Sequence, residues 1–449
     1  MIRRLRRASV FAAVAAVAVL APALGDAAAV PFLAAAGLAF FGVRDGEWFE
    51  TLALPGDREE ERLYGFVAFA LAAAGLALFA SLPRAPLPYE AFAAAALAVG
   101  CGRLGRAVVA GRSTDEFSLV AGYVAGGTLG ALAGQVAVLL QTDGVGLANG
   151  PSLVEGLPSV VFLAAVAALT AALIRSLVFD RDAHITVILV AFAVWGFVAV
   201  DPTVTVPLVA FGLAVTGALG YVSFALGTAS VPGMLTGVLS ALLAVVLGGV
   251  GWFATLMSFY AIGGLASKYR FDEKANRGVA QENEGARGTG NVLANSAVAL
   301  VAVVGYAATD HVGVPGALFG FAFAGATATA MADTLSSEIG GLYDGPRLVT
   351  TFRRVDPGTD GAVTWQGELA GVTGALLVAG LAALWMPVGG AVTGGGIVVL
   401  AGVAGMTVDS LLGALIEGER IGNQAVNFLA TLSGAIVAVG AAVALGVGL

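Results

Sequence analysis

The stretch Pro315-Gly-Ala-Leu-Phe-Gly-Phe-Ala-Phe-Ala-Gly-Ala-Thr-Ala-Thr-Ala-Met-Ala-Asp333 reaches its first charge only at its final residue. About 20 apolar residues suffice for a helix to cross a bilayer, and this run has that length. In lipid every backbone N–H and C=O needs a partner, which a helix supplies from within its own segment. The alternation of a barrel strand is missing. Similar apolar runs recur along the chain: of 449 residues, 58% are hydrophobic and 12% charged, with a mean hydropathy of +0.92. A soluble domain carries about 25% charged residues. The fold class is therefore all-α, a polytopic transmembrane helical bundle.

Charges, prolines and glycines bound about fifteen spans. They lie near 9–24, 28–43, 64–82, 90–110, 117–140, 157–179, 184–200, 203–221, 229–250, 251–267, 291–309, 315–333, 366–387, 391–412 and 423–447. The N-terminal Arg3, Arg4, Arg6 and Arg7 before an apolar run have the form of a secretory leader. With so many later spans, an uncleaved first helix is expected instead. Those arginines keep the N-terminus in the cytoplasm under the positive-inside rule. Alternation then places Arg103, Arg106 and Arg112, Arg175 and Arg181, the 268–290 and 340–365 loops, and Arg420 on the same side. An integral protein of the cell membrane is expected.

The chain divides near residue 183. Residues 1–183 form a transmembrane region with few polar residues in its spans and no assignable role. Its clearest feature is Gly122, Gly126, Gly130 and Gly134, one helix face of glycines that lets another backbone approach closely. Residues 184–449 hold the polar clusters.

Several classes of function are excluded or made remote. A net charge of −8 and a pI near 4.9 argue against a nucleic-acid partner, which requires a basic stripe. Only two of the 22 basic residues are lysine, and exposed-looking segments such as 57–62 are acid-rich. This usage resembles that of haloarchaeal proteins. The single Cys101 cannot form an internal disulfide. His184 and His311, the only histidines, lie far apart in sequence.

Three polar clusters remain, all expected on the cytoplasmic side. The first runs from Lys268 to Asn295 and contains both lysines, Lys274 being the second, with Arg277 and Arg287. Cations and glycine-lined amides hold phosphates. Asn291 and Asn295 share one face at the start of the next helix. The Gly285-x-x-Gly288-x-Gly290 pattern is neither a Walker A sequence nor a dinucleotide fingerprint. The second cluster is Asp333-Thr-Leu-Ser-Ser337-Glu338, followed by Arg347, Thr350 and Thr351. An ionisable residue at the end of a span is costly and marks a candidate site. Asp333 and Glu338 suit Mg²⁺, which takes few carboxylates together with water and substrate phosphates. Arg347, Thr350 and Thr351 would complete a phosphate cradle. The third cluster is Asp409-Ser410 with Glu417, Asn423 and Asn427, and it repeats the pattern of an aspartate at a span's inner end. Between the second and third lies Asp356-Pro-Gly-Thr-Asp360-Gly361, whose composition turn chemistry explains in full.

These clusters carry a resemblance. K-Y-x4-K-x2-R-G-V-A-x3-E-G-A-R-G-x2-N-V-L-A-N (268–295), D-T-L-S-S-E-I-G (333–340), P-R-L-V-T-T (346–351), P-G-T-D-G-A-V (357–363) and D-S-L-L-G-A (409–414) resemble one membrane family over about residues 190–447. It is the family catalogued as domain of unknown function 92, which includes transmembrane protein 19 and the plant phytyl phosphate kinase. The resemblance implies a membrane kinase that phosphorylates a prenyl monophosphate from a nucleoside triphosphate. It implies that Lys268, Lys274, Arg277 and Arg287 hold phosphates, and that Asp333, Glu338 and Asp409 bind Mg²⁺ or position the acceptor. The sequence departs at Asp360-Gly-Ala, where the family commonly has an amide and two glycines.

The expected function is thus phosphoryl transfer to a polyprenyl monophosphate, such as geranylgeranyl or phytyl phosphate, which would lie among membrane lipid. The alternative, a transporter or lipid carrier, would use the same carboxylates within the bundle.

Overall fold

The computed structural model describes residues 2–84, 86–142, 153–280, 287–418 and 420–448. Among them are 13 helices long and apolar enough to cross a membrane, and two shorter apolar helices, Val30–Gly42 and Tyr64–Ala80. The shorter pair occupy the second and third expected spans, so the helical bundle matches the sequence reading. The only paired strands among the described residues are Arg347–Leu348 and Ala362–Val363, an antiparallel pair.

The chain forms two compact units, Met1–Val209 and Ala210–Leu449. The division falls later than residue 183 because the helix Ala183–Val200 packs on Tyr64–Ala80, Tyr89–Val109 and Leu153–Leu177 of the first unit.

In the first unit the four glycines of the ridge all face the helix Tyr89–Val109. A Cβ added at Gly126 would lie 2.5 Å from the Cys101 carbonyl oxygen, and one at Gly122 would lie 2.5 Å from Val109. Gly130 meets Cys101 and Gly134 meets Leu97. The first helix is part of this packing, with Ala15 against Gly100 and Phe11 fully buried. One expectation is corrected here. Asp57, assigned to an exposed acidic segment, has 0% exposure and accepts the backbone N–H of Leu54 at 2.8 Å and of Gly65 at 3.3 Å. A buried carboxylate needs such donors, and here it closes the turn between two helices.

In the second unit Gly316–Gly340 is the central helix. It packs against Val250–Lys268, Thr289–Ala307, Trp365–Trp385, Gly395–Ile416 and Asn423–Ala444. Its small side chains make this possible, because helices in lipid associate by close packing rather than by apolar burial. Thr329 Oγ1 donates to Gly325 O at 3.0 Å and to Ala401 O at 3.3 Å on the neighbouring helix. Gly405 and Gly434 close around it: a Cβ would lie 2.2 Å and 2.0 Å from that oxygen. Three helices are held at one level, and two of them bring their aspartates to one end.

Candidate functional site

At that end Asp333 and Asp409 converge across neighbouring helices, close enough for their carboxyl groups to interact directly. Asp409 Oδ1 is buried without a hydrogen-bond partner. Like charges this close repel, and a cation or shared proton relieves the repulsion. Both residues line a polar cleft of about 340 Å³ with Ser336, Ser337, Ser410, Glu417 and Asn423. The pair fits Mg²⁺, which binds one or two carboxylates and fills its other positions with water and phosphate. Among the described residues, no group of three or more His, Cys, Asp or Glu has metal-holding geometry.

Glu417 follows the helix Gly395–Ile416 and holds its carboxyl above the ordinary 4.5. Loss of solvent is the main cause, the Asp360 carboxylate adds to it, and a hydrogen bond with Asn423 opposes it. Asn423 Oδ1 also accepts from Asn427 Nδ2 at 3.3 Å, which makes the expected i,i+4 amide pair.

The third expected carboxylate is engaged elsewhere. Glu338 lies five positions beyond Asp333, about 140° further round the helix. It forms a buried ion pair with Lys274, whose ammonium also donates to Ala266 O at 2.9 Å and Ser267 O at 2.8 Å. All three Lys274 donors are used in this structure, and Lys274 does not line the cleft. Glu338 is engaged through Oε2 and does not line the cleft, while its Oε1 is buried without a partner.

Of the other cations, Arg277 is tied to the rim, donating to Tyr343 O at 3.0 Å and Asp344 Oδ1 at 2.8 Å. Lys268 ends its own helix, with Nζ 3.6 Å from where a Cβ on Gly227 would be. Arg347 is exposed and donates to Phe352 O at 2.8 Å; Thr350 and Thr351 are exposed with it. None of these five residues lines the cleft, so the expected cradle does not assemble in this structure. Asn291 and Asn295 stack as read, Asn295 Nδ2 donating to Asn291 O at 3.0 Å, and Asn291 Oδ1 is buried without a partner. They too lie outside the cleft wall. Gly285 falls outside the described residues.

Arg287 is placed differently. Half-buried, it donates to Thr334 Oγ1 at 3.3 Å and lies over the Phe259 ring at 5.0 Å. Loss of solvent pulls its pKa below the ordinary arginine range, against the opposing charges of Glu338 and Asp333. It also lines a second cavity of about 240 Å³, whose other walls are mostly apolar side chains such as Leu219, Met234, Val238 and Leu265.

The turn at 356–361 was missed by reading composition. Pro357, Gly358, Thr359, Asp360 and Gly361 all line the cleft. Gly361 has φ +72, and a Cβ there would lie 2.4 Å from Ala414 N on the Asp409 helix. Only glycine permits that approach. Turn propensity carries no trace of this packing; the ordered motif was the available signal.

Residues 214–435 match the family described as integral membrane protein DUF92. An uncharacterised membrane protein of Methanocaldococcus jannaschii is 39% identical over 197 residues, 42% of this chain and 76% of the relative. The chloroplastic protein VTE6 of Arabidopsis thaliana is 30% identical over 204 residues, 42% of this chain but only 58% of VTE6. An uncharacterised membrane protein of Synechocystis is 30% identical over 200 residues, 74% of its length. No solved structure matches. The matched region contains the Asp333–Asp409 cleft, and the chain belongs to the DUF92 family of integral membrane proteins.

Proposed function

We propose that this chain is a membrane-embedded phosphotransferase that transfers phosphate from a nucleoside triphosphate to a polyprenyl monophosphate, geranylgeranyl or phytyl phosphate being the model acceptors. One observation carries the reading: Arg287 lines an apolar cavity and also lies within electrostatic range of Asp333. A molecule with a hydrocarbon tail and an anionic head fits that juxtaposition, and an arginine fork matches a phosphate. The relationship to VTE6 agrees with it.

In this reading Asp333 and Asp409 would hold Mg²⁺, which would neutralise charge on the phosphates. Arg287 orients the acceptor head, and the turn 357–361 closes the cleft over the donor. An acceptor phosphate oxygen forms the new bond to the γ-phosphorus, and the bond to the bridging oxygen breaks, its electron pair leaving with the nucleoside diphosphate. Such transfer needs positioning and charge stabilisation rather than a covalent nucleophile. In this reading the cleft faces the cytoplasm, where the donor is and to which the positive-inside rule assigns Arg277, Arg347 and Arg420.

The test uses purified protein in lipid with Mg²⁺, labelled nucleoside triphosphates and geranylgeranyl phosphate. Label should appear in the prenyl diphosphate and vanish with Asp333→Asn while the fold persists. Folded wild-type protein giving no transfer with any nucleotide would reject the kinase and move attention to flux assays.

A further inference from the structure

The first unit holds a cavity of about 590 Å³ with an unusual lining. The first helix contributes Arg3, Arg4 and Arg7. Arg58, Arg103, Arg106 and Arg175 enter from three other segments. Glu50 is the one acidic residue of the lining, and it already accepts from Arg58 at 3.2 Å. The whole chain has only 22 basic residues and is net acidic, so seven arginines lining one cavity are a local exception.

Arginines that serve only to keep a helix end out of lipid can spread into water. Several of these are held in place instead. The Arg103 guanidinium lies 4.6 Å from the Phe11 ring centroid, and that of Arg175 lies 5.7 Å from Tyr123. Arg7 Nη1 donates to Ala53 O at 2.7 Å. Arg103 and Arg106 are three apart, and Arg3 and Arg7 four apart, so each pair shares a helix face. These contacts hold three of the guanidinium groups in place beside the cavity that all seven arginines line.

We propose that this cavity is a binding site for a polyvalent phosphate anion, distinct from the Asp333–Asp409 cleft and independent of the kinase reading. Arginine forks pair bidentately with phosphate oxygens, and several in one cavity suit an anion with more than one negative charge. The volume is that of a small-molecule site. The phosphate can come from an anionic lipid headgroup or from a soluble polyphosphate, and the experiment separates the two.

The full-length protein is purified into nanodiscs of phosphatidylcholine, titrated calorimetrically with tripolyphosphate, and compared with Arg103→Gln/Arg106→Gln. Arg44→Gln, an exposed arginine outside the cavity, serves as control. Saturable binding to wild type and control, weakened at least about tenfold in the double variant, supports a soluble ligand. Absence of that binding, with cardiolipin, whose headgroup carries two phosphates, retained in native mass spectra of wild type and lost from the variant, supports a lipid headgroup. Should the double variant fail to fold, Arg3→Gln/Arg4→Gln, two exposed positions, gives the same comparison. If neither anion binds the folded wild type, or if both bind the variants equally, the proposal is overturned.

Discussion

Replacing Lys274 with methionine removes the partner of a carboxylate that is almost wholly enclosed. The side chains of Lys274 and Glu338 are 1% and 2% exposed, so solvent screening offers little relief. Breaking a buried pair by removing one member costs about 3–5 kcal/mol, because the remaining charge is stranded. The Ala266 and Ser267 carbonyls, in the last turn of the helix Val250–Lys268, also lose a donor. Against a total stability of about 5–15 kcal/mol, Lys274→Met is severe. Glu338→Gln keeps an acceptor for the ammonium and should cost less. The double change Lys274→Met/Glu338→Leu exchanges the pair for apolar volume, often neutral or stabilising, and should recover most of the loss. Unfolding in bicelles followed by tryptophan fluorescence would measure these variants, with Glu338→Leu completing the double-mutant cycle. Additive losses would refute this account. So would a Lys274→Met protein of full stability that had lost only phosphate binding, which would return Lys274 to the site.

Two further outcomes follow from the geometry. Gly434→Ala places a methyl on Thr329 Oγ1 and should destabilise by about 1–3 kcal/mol, the usual cost of overpacking, with partial rescue by Thr329→Ala; equal thermal midpoints for wild type and Gly434→Ala would contradict the packing. Glu417 holds its proton more tightly folded than unfolded, so its contribution is fully present at acid pH and is lost as pH rises above 4.5 toward its elevated folded value. Glu417→Gln should flatten that part of the stability–pH curve, and Asp360→Asn should do so partially; an unchanged slope in both would remove the assigned cause.

The bundle was legible because hydropathy in lipid is a one-dimensional signal: apolar length alone places Gly316–Gly340 or Asn423–Ala444. The glycine ridge at 122–134 was legible for a related reason, since four small residues on one face have few uses besides close packing. Asp57 was misread because composition reports polarity and not whether two backbone amides will turn toward a carboxylate. The division of the chain was likewise hidden, for nothing within Ala183–Val200 states which neighbours it packs on.

The site shows where the limit lies. Asp333 and Asp409 were identified separately by one argument, that a charge at the end of a span has a cause. Which charge meets which depends on helix rotation, and that separated Glu338 from Asp333 although both lie in one short motif. The lysines make the same point in reverse. Their singularity in an arginine-using chain was a real signal, but for Lys274 the chemistry behind it is local. An ammonium has three donors in a compact head, which suits two adjacent carbonyls and one carboxylate within a closed space. Arginine's planar fork is larger and poorly matched to that space, so Lys274→Arg should destabilise despite keeping the charge. The stringency thus arises from enclosure, and a rare residue type is evidence of a demanding environment before it is evidence of a ligand.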